Sequence, residues 1–428
     1  MRVNWFSPLL PAHTDIAHYT SRIAEALSRT FDITFWTNQD EPLPLPGGGT
    51  IRKFEPALLH DLMFRKDMLM GINIYNVGNN AQFHDWIFAV ANVYPGIAVL
   101  HDVRLHHFFF ELDRTTSTPW MRYIRLCREI YGTGGARAAE EIVRSGGVKI
   151  DDHVEQMPLL EPWLVNAFGA ICHSAQATYE TEHRSVVPVL SLPLPFETLA
   201  RPTDATRHWA SPFKLIVFGF LNRNRRVLEI LETLAAARSY LTFTLHIVGE
   251  LWDADTVRET IAQLGLQEQV KIEGYVSEEE LDRLIAESHL SLNLRSPTMG
   301  EASGAVLRAW AQATPVVVSD VGYYSELPDG CVFKIDPEQE RADLDRIFRR
   351  LASSPDDFRL AGLHGQDWGR THHSPDQYCR RLSEALTQSG GLAARFAERK
   401  TITRAAHVSK LASPVLDRAV DTLLASRA

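Results

Sequence analysis

Three arginines, Arg223, Arg225 and Arg226, stand between an apolar run that ends at Phe218 and a helical pattern that begins near Val227. The first turn of a helix presents unpaired N–H groups and a partial positive charge, so each cation there costs about 0.3 kcal/mol or more. A bound phosphate removes the conflict, because it accepts hydrogen bonds from the N–H groups and the guanidinium groups together. The segment therefore predicts an anion site; the alternative is a surface cluster of arginines paired with acids elsewhere.

A second helix start lies in the segment 293–306, where an apolar run leads through a loop with proline and glycine into a helical pattern. Ser303 is predicted to be the N-cap, and Gly304 would let a ligand approach the backbone closely. This helix start also suits a phosphate. A carboxylate beside a phosphate would repel it, so we expect Glu301 to accept hydrogen bonds from sugar or ribose hydroxyls. The alternative is an acid that stabilises the first helical turn.

His101 and Asp102 end another apolar run, and His106 and His107 follow closely. A histidine at a strand end of an α/β protein is a candidate for substrate contact, so we assign that role to His101; a packed structural histidine is the alternative. The spacing of these histidines matches no usual zinc pattern, so we expect no metal here.

The turn after the first apolar run contains Asp15 and lacks the G-x-G-x-x-G pattern of dinucleotide-binding folds. Asp15 is expected to cap the first helix, and an acid at this place suits hydroxyl groups better than phosphate.

Apolar runs alternate with helical patterns along most of the chain, which predicts an α/β protein with parallel sheets covered on both faces. The predicted strands lie near 3–7, 33–37, 72–77, 97–101, 168–173, 215–218, 243–248, 270–272, 290–294, 316–319 and 332–335. The alternation stops at 109–165, which is predicted to be a helical insertion with breaks near Gly134-Gly135 and Gly146-Gly147.

A proline-rich stretch at 187–195, followed by a polar stretch to about residue 211, is the predicted linker. We therefore predict an N-terminal domain over 1–195, a C-terminal domain over 196–388 and a basic helical tail over 389–428. Two α/β domains joined by one linker are expected to face each other across a cleft, with ligands at the carboxyl ends of the strands.

The composition excludes several classes of protein. Hydrophobic residues make up 45% of the 428 residues, which is enough for packed cores, and the net charge of −9 argues against a nucleic-acid partner. The four cysteines are far apart, which argues against a disulfide framework and favours a cytoplasmic protein. No apolar stretch reaches the length of about 18 residues expected of a membrane-spanning helix, so a soluble protein is expected.

The tail differs from the rest of this acidic chain, because residues 389–428 carry seven Lys and Arg against three Asp and Glu. Either this is a solvated terminal helix, or it makes a peripheral contact with an anionic membrane, at its inner face, or with a partner.

The sequence resembles the family 4 retaining glycosyltransferases of GT-B architecture over roughly residues 1–388. The resemblance rests on the order of G-F-L-N-R-N-R-R from Gly219, H-I-V-G at 246–249, I-E-G-Y-V at 272–276, L-N-L-R-S-P-T-M-G-E-A-S-G at 292–304 and T-P-V-V-V-S-D-V-G at 314–322. Y-N-V-G-N-N at 75–80, F-H-D at 83–85 and V-L-H-D at 99–102 add to it, and together they look like a bacterial branch that builds cell-surface polysaccharides.

The resemblance implies roles for particular residues. Those implied in catalysis are His101, Arg225 and Glu301, and those implied in donor binding are Asp15, Gly219, Arg223, Gly274, Tyr275, Arg295, Ser303, Gly304 and Ala305. Arg225 stands where the family has a lysine that holds the donor pyrophosphate, and His101 where the family has a histidine that contacts the donor sugar.

The sequence departs from the family at several positions. Phe220 replaces an arginine, for which Arg223 or Arg295 would substitute, and Asp15 replaces a glycine. Gly300 and Arg308 stand where the family has two glutamates, with Glu301 one residue from the first.

The implied reaction is front-face transfer of a sugar with retention, from a nucleotide-sugar donor to a glycan or lipid-linked acceptor. Arginines and a helix N-terminus would neutralise the leaving phosphate, so no metal or other cofactor is expected. Two alternatives stay open: a catalytically silent member that binds a nucleotide sugar or scaffolds a partner transferase, which Phe220 and Arg308 motivate, and a sugar phosphorylase or sugar-phosphate-utilising synthase on the same fold.

Overall fold

The computed structural model describes residues 1–114, 120–197 and 207–388, and divides the chain into two compact units. The first unit contains Met1–Pro193, Met299–Glu301 and the segment that starts at Pro375, and the second contains Leu194–Thr298 and Ala302–Ser374. The predicted tail at 389–428 and part of the predicted linker, 198–206, lie outside the described residues.

The first unit is built on a seven-stranded parallel sheet in the order β3-β2-β1-β4-β5-β6-β7. Its strands are β1 Arg2–Phe6, β2 Asp32–Thr37, β3 Thr50–Lys53, β4 Ile72–Val77, β5 Ile97–Leu100, β6 Gly169–Cys172 and β7 Val189–Ser191. Its helices up to the second unit are α1 Asp15–Thr30, α2 Leu62–Met70, α3 Ala81–Val93, α4 His106–Arg114, α5 Met121–Arg144, α6 Glu161–Leu164 and α7 Ala175–Arg184. The strands β5 and β6 are buried along their whole length, as expected for a parallel sheet between two helical layers.

Helix α1 forms where its apolar residues repeat at helical spacing, and it buries the predicted stripe of Ile16, Tyr19, Ile23 and Leu27. The prediction that Asp15 caps this helix was wrong. Thr14 is the N-cap, because its backbone is extended and its side chain accepts from the N–H of Ile16, while Asp15 is the first helical residue.

The predicted insertion contains α4, α5 and α6, which pack on a shared core that includes Phe108, Tyr123 and Trp163. The break predicted near Gly134-Gly135 lies at Gly132, whose φ of +71° is outside the helical range. The helix ends just before Gly146, where a positive φ stops it as the sequence indicates.

The second unit is built on a six-stranded parallel sheet in the order β10-β9-β8-β11-β12-β13. Its strands are β8 Phe213–Phe218, β9 Phe243–Val248, β10 Val270–Gly274, β11 Leu290–Asn293, β12 Val316–Ser319 and β13 Val332–Ile335, and its helices are α8 Val227–Ala237, α9 Ala254–Gln263, α10 Glu278–Glu287, α11 Gly304–Ala311, α12 Glu340–Ser353 and α13 Pro355–His372. The predicted two-sheet α/β architecture is confirmed. Within the described ranges, no helix has the length and hydrophobicity needed to cross a membrane.

Three elements differ from the sequence-based prediction. The sequence predicts neither of the short edge strands β3 and β7, and β7 lies inside the proline-rich stretch of the predicted linker. The last helix, α14 (Pro375–Gln388), packs on α1 in the first unit although the sequence places it in the C-terminal domain. The Arg29 guanidinium lies 2.8 Å from the Asp376 carboxylate in this contact.

Candidate functional site

Arg225 is held at the carboxyl end of the sheet of the second unit. It lies in the loop after β8, where residues Arg223–Arg225 form one turn of 3-10 helix, and it is only 7% exposed. Its Nε donates to the carbonyl of Phe220 at 3.2 Å, and its Nη1 donates to Oδ1 of Asn293 at 2.7 Å. Since Asn293 ends β11, the neighbour of β8, two adjacent strand ends fix this guanidinium.

A hydrogen-bonded chain continues from Asn293 to the start of α11. Asn293 Nδ2 donates to Ser303 Oγ at 2.9 Å, and the same hydroxyl accepts from the N–H of Val306 at 3.2 Å. The prediction that Ser303 is the N-cap is therefore confirmed. Among the described residues, the N–H groups of Gly304 and Ala305 have no acceptor. A buried guanidinium and an open helix start thus lie at the two ends of one chain, which suits an anion.

Glycines allow neighbouring backbone segments to approach one another closely at the carboxyl edge of the same sheet. Gly219 has a φ of +109°, and a Cβ there would lie 3.3 Å from Arg225 Nη2. Gly249, at the end of β9, has a φ of +121°, and its Cβ would lie 2.1 Å from the carbonyl oxygen of Gly219. Gly274 continues this row, since its carbonyl accepts from the N–H of Gly249 at 2.7 Å, and Tyr275 after it is exposed. Larger residues would push the ends of β8 and β9 apart.

Arg226 has a different role from its neighbour. Its Nη1 lies 2.9 Å from the Glu229 carboxylate and its Nε 3.1 Å from that of Glu340. Burial raises the pKa of Glu340, and Arg226 opposes that shift. The interpretation of the arginine cluster as side chains paired with acids therefore holds for Arg226. Arg223 is exposed and forms no ion pair with any residue that the structure describes.

Asn224 connects the loops that follow β8 and β11, and Arg295 ties the second of these loops to the end of β12. The N–H of Ser296 donates to the carbonyl of Asn224 at 2.9 Å, and Asn224 Nδ2 donates to the carbonyl of Pro297 at 3.2 Å. The buried Arg295 donates from its backbone N–H to Ser319 Oγ at 2.9 Å, and from Nη1 to the carbonyl of Leu294 at 3.1 Å. These bonds give the Arg225 loop a fixed place beside the loop that leads into α11.

Arg308 is turned towards α10. Its Nε donates to Asp282 at 2.6 Å, its Nη1 to the Glu278 carboxylate at 2.9 Å and its Nη2 to the Glu278 carbonyl at 3.0 Å. The side chain is largely buried. The residue that stands where the related family has a glutamate therefore joins α11 to α10.

His101 follows β5 in the first unit, and its Nε2 lies 3.0 Å from Oδ1 of Asn76. Asn76 Nδ2 donates to the carbonyl of Phe6 at 2.9 Å, so the amide is oriented with Oδ1 as the acceptor. His101 therefore carries its proton on Nε2 and presents Nδ1 as an acceptor. Burial, with smaller effects from His173 and His84, holds the pKa of His101 well below its ordinary value, so the ring is neutral near pH 7.

Aromatic side chains fix the His101 ring. The ring of Tyr19 meets it edge-on with centroids 4.5 Å apart, and the His173 ring lies 5.2 Å away. The hydroxyl groups of Tyr19 and Tyr378 lie 2.9 Å apart, which links α1 and α14 beside the histidine.

Glu301 and Asp15 also lie in the first unit. Glu301 Oε2 accepts from the N–H of Met299 at 2.7 Å, and the Met299 carbonyl accepts from the N–H groups of Val103 and Arg104 at 3.2 and 3.1 Å. Asp15 is exposed at the start of α1. The structure therefore groups Asp15, His101 and Glu301 in one unit and the other nine predicted site residues in the other. In the part of the chain that the structure describes, no three His, Cys, Asp or Glu side chains are placed to hold a metal ion.

Residues 212–351, which contain the Arg225–Asn293–Ser303 chain, match the family model for glycosyl transferases group 1. The chain carries a glycosyl transferases group 1 domain. Over 143 residues it is 28% identical to the MMP alpha-(1->4)-mannosyltransferase of Mycolicibacterium hassiacum, an alignment that covers 33% of this chain and 34% of that protein. The chain thus spans about a third of the length of the curated relative it matches.

Solved structures place the group 1 domain in a known architecture. HepE of Anabaena, in complex with UDP and glucose, superimposes with a TM-score of 0.61 at 14% identity, over 91% of this chain and 100% of that one. Sucrose-phosphate synthase of Thermosynechococcus elongatus gives a TM-score of 0.59 at 14% identity, over 91% and 98%. WaaG, a glycosyltransferase of lipopolysaccharide biosynthesis, gives 0.57 at 13% identity, over 91% and 100%. The predicted GT-B fold is confirmed.

Two residues of the group 1 domain were not predicted to belong to the site. Asn293 links Arg225 to the Ser303 cap, and Ser319 holds the backbone of Arg295. Both are polar residues that end a buried strand, and that position is the signal that the sequence offers for them.

Proposed function

We propose that this protein is a retaining glycosyltransferase that moves a sugar from a nucleotide-sugar donor to a hydroxyl group of a glycan or glycolipid acceptor in polysaccharide biosynthesis. The observation that carries the proposal is the chain from Arg225 through Asn293 to Ser303, at the carboxyl ends of two adjacent strands of the group 1 domain. That chain fixes a guanidinium and a helix start where a diphosphate would be held.

In the proposed reaction, the bond between the sugar and the donor phosphate breaks, and the acceptor hydroxyl forms a new bond on the same face of the sugar. The acceptor proton passes to the leaving phosphate, so the nucleoside diphosphate departs with the bonding electrons. Arg225 and the N–H groups of Gly304 and Ala305 stabilise the charge that develops on that phosphate. Fixed donors of this kind contribute about 3 kcal/mol each in enzymes where they have been removed.

The remaining site residues receive roles in the same proposal. Arg223, exposed in the same loop, adds positive charge beside the diphosphate, and Tyr275 and the glycine row border the nucleotide. The neutral His101 ring offers Nδ1 to a sugar hydroxyl. Glu301 and Asp15 accept from hydroxyl groups, and Arg295 positions the loop.

Relatives support a nucleotide-sugar donor. HepE was solved with UDP and glucose, and also with UDP-glucose. The curated relative is a mannosyltransferase. We propose that no metal takes part, because arginine and helix N–H groups supply the positive charge that the leaving phosphate needs. The four buried, unpaired cysteines favour a reducing cytoplasm as the place of reaction.

The test is a screen of UDP-, GDP-, ADP- and dTDP-sugars, with and without chelator, that follows release of the nucleoside diphosphate and transfer to simple glycosides. Proton NMR of the product then gives the configuration of the new glycosidic bond. We expect turnover with one donor class, insensitive to chelator, and a product with the donor's anomeric configuration. An inverted product would contradict the retaining mechanism, and loss of turnover with chelator would contradict the metal-free site.

A catalytically silent protein is the second candidate, and Arg308 favours it. Arg308 stands where the related family has a glutamate, and its side chain forms ion pairs with Glu278 and Asp282. Binding of a nucleotide without turnover of any donor would select this candidate.

A further inference from the structure

Helix α2 of the first unit exposes an unusual number of large apolar side chains. Leu62, Met63, Leu69 and Met70 are 77%, 65%, 68% and 64% exposed in a helix of nine residues. The same helix buries Phe64 and Met68 against the core of the first unit. A helix that is apolar on two opposite sides normally has a partner on each.

The exposed residues form one continuous face. At 3.6 residues per turn, Leu62 and Leu69 lie on one side of Lys66, and Met63 and Met70 lie on its other side. The buried pair, Phe64 and Met68, lies opposite. The face defined by Leu62, Met63, Lys66, Leu69 and Met70 is called the α2 face below.

We propose that the α2 face binds the surface of an anionic lipid bilayer. The lysine in the centre of the face favours a bilayer over a second protein. Lysine is depleted in the buried centre of protein interfaces, whereas at a bilayer surface its stem lies among acyl chains and its ammonium group reaches the headgroups. Flexible leucine and methionine side chains insert readily between lipids, in the manner of interfacial helices.

Charge around the α2 face supports an anionic surface. The Asp67 carboxylate forms ion pairs, since it lies 2.8 Å from Arg52 and 3.8 Å from Arg2. Asp61 caps the helix by accepting from the N–H of Phe64. Arg65 and Lys66 are exposed and pair with no acid among the residues that the structure describes. Because Arg2 and Arg52 pair with Asp67, the helix carries Arg65 and Lys66 against the capping Asp61, in a chain whose net charge is −9.

The position of α2 fits this contact. The helix runs back from the end of β3 to the start of β4, so its first residues, Leu62 and Met63, lie towards the carboxyl edge of the sheet. That edge also carries His101, which follows β5. A protein seated on the bilayer through α2 would hold this edge near the membrane, where lipid-linked molecules are found. The surface does not depend on the proposed activity, because lipid binding is measured without donor or acceptor.

The experiment is sedimentation of the full chain with vesicles of phosphatidylcholine alone and of phosphatidylcholine with phosphatidylglycerol in a two-to-one ratio. We expect binding to the anionic vesicles that weakens with added salt. The variant Leu62→Gln/Leu69→Gln removes apolar area and keeps helix propensity, so we expect about tenfold weaker binding. Arg65→Gln/Lys66→Gln removes charge and should weaken binding to anionic vesicles by about tenfold.

The matched control is Val148→Gln/Val165→Gln, which removes two exposed apolar side chains of the same unit away from α2 and should bind like the wild type. All substituted side chains are exposed, so unchanged melting temperatures are expected. A chain that ends at residue 388 tests the basic tail. Vesicle binding that is lost with the tail but unchanged in both α2 variants would overturn the proposal. So would a wild type that ignores vesicles and forms a dimer that Leu62→Gln/Leu69→Gln dissociates.

Discussion

Arg225 Nη1 donates to Asn293 Oδ1 at 2.7 Å, across the carboxyl ends of the adjacent strands β8 and β11. Two of its side-chain hydrogen bonds, to this amide and to the Phe220 carbonyl, have uncharged acceptors. The next residue, Arg226, is instead bonded to two carboxylates. Of these two adjacent arginines, Arg225 thus belongs to the candidate site, and Arg226 belongs to the structure that supports it.

Asn293→Asp should separate binding from stability. The new carboxylate would still accept from Arg225 and pair with it, so we expect an unchanged or higher melting temperature. Its negative charge beside the diphosphate should weaken binding of the nucleoside diphosphate by about 1–3 kcal/mol, or roughly 5- to 150-fold. Titration calorimetry and thermal unfolding measure the two effects. Equal nucleotide affinity in Asn293→Asp and the wild type would show that the diphosphate does not lie beside Asn293.

Arg308→Gln should lower stability and leave nucleotide binding unchanged. The substitution removes partly buried ion pairs to Glu278 and Asp282, so we expect a loss of about 1–3 kcal/mol in stability with little change in nucleotide affinity. Arg308→Glu, which restores the residue type of the related family, places a third acid beside those two and should be the less stable variant. If Arg308→Glu raised nucleotide affinity and kept the melting temperature, this position would belong to the ribose site.

The first unit should lose stability in mild acid. Burial lowers the pKa of His106 to about 4, against the raising effect of its bond to the Met157 carbonyl, and burial likewise lowers the pKa of His84 to about 4. Between about pH 6.5 and pH 4 the histidines of the unfolded chain bind protons that the folded chain excludes. The free energy of unfolding therefore decreases by roughly 1.4 kcal/mol for each such histidine and each unit by which the pH is lowered.

His106→Gln tests that account. The variant starts from a lower melting temperature, because it disturbs a buried hydrogen bond to Met157. Between neutral pH and about pH 5, however, its melting temperature should fall less steeply than that of the wild type, because one titrating group is gone. Parallel profiles for the two proteins would mean that His106 does not contribute to acid sensitivity.

The sequence predicts local features well where the cause is local. Ser303 is the cap of α11 because a serine before an apolar helical pattern can accept from the helix N–H groups, and nothing distant decides it. The apolar runs at β5, β6, β8 and β9 are buried strands because both faces of a parallel sheet are covered. The short edge strand β3 carries no apolar run, and β7 lies in a proline-rich stretch, so neither has that signal.

The different roles of Arg225 and Arg226 could not be predicted from the sequence. Arg225 and Arg226 are adjacent and of one type, and their roles depend on Asn293 and Glu340, which are brought to them by the fold. The cap of α1 shows the same limit on a smaller scale, because Thr14 and Asp15 are both good capping residues and backbone geometry selects Thr14. The contact from the N–H of Met299 to Glu301 Oε2 was not predicted either, and the expected contact of Glu301 with hydroxyl groups stays a prediction.

Nucleotide affinity of Arg225→Gln and Arg226→Gln tests the central claim most directly. Thermal shift and calorimetry with UDP, GDP, ADP and dTDP would first select the nucleotide that binds the wild type. Arg225→Gln should then weaken its binding by about 2–3 kcal/mol, or roughly 30- to 150-fold, because a charge-assisted contact is lost. Arg226→Gln should lower the melting temperature and leave affinity within about twofold. A phosphate site at the end of β8 would be contradicted if Arg225→Gln bound the nucleotide as tightly as the wild type. It would also be contradicted if the wild type bound none of the four nucleotides.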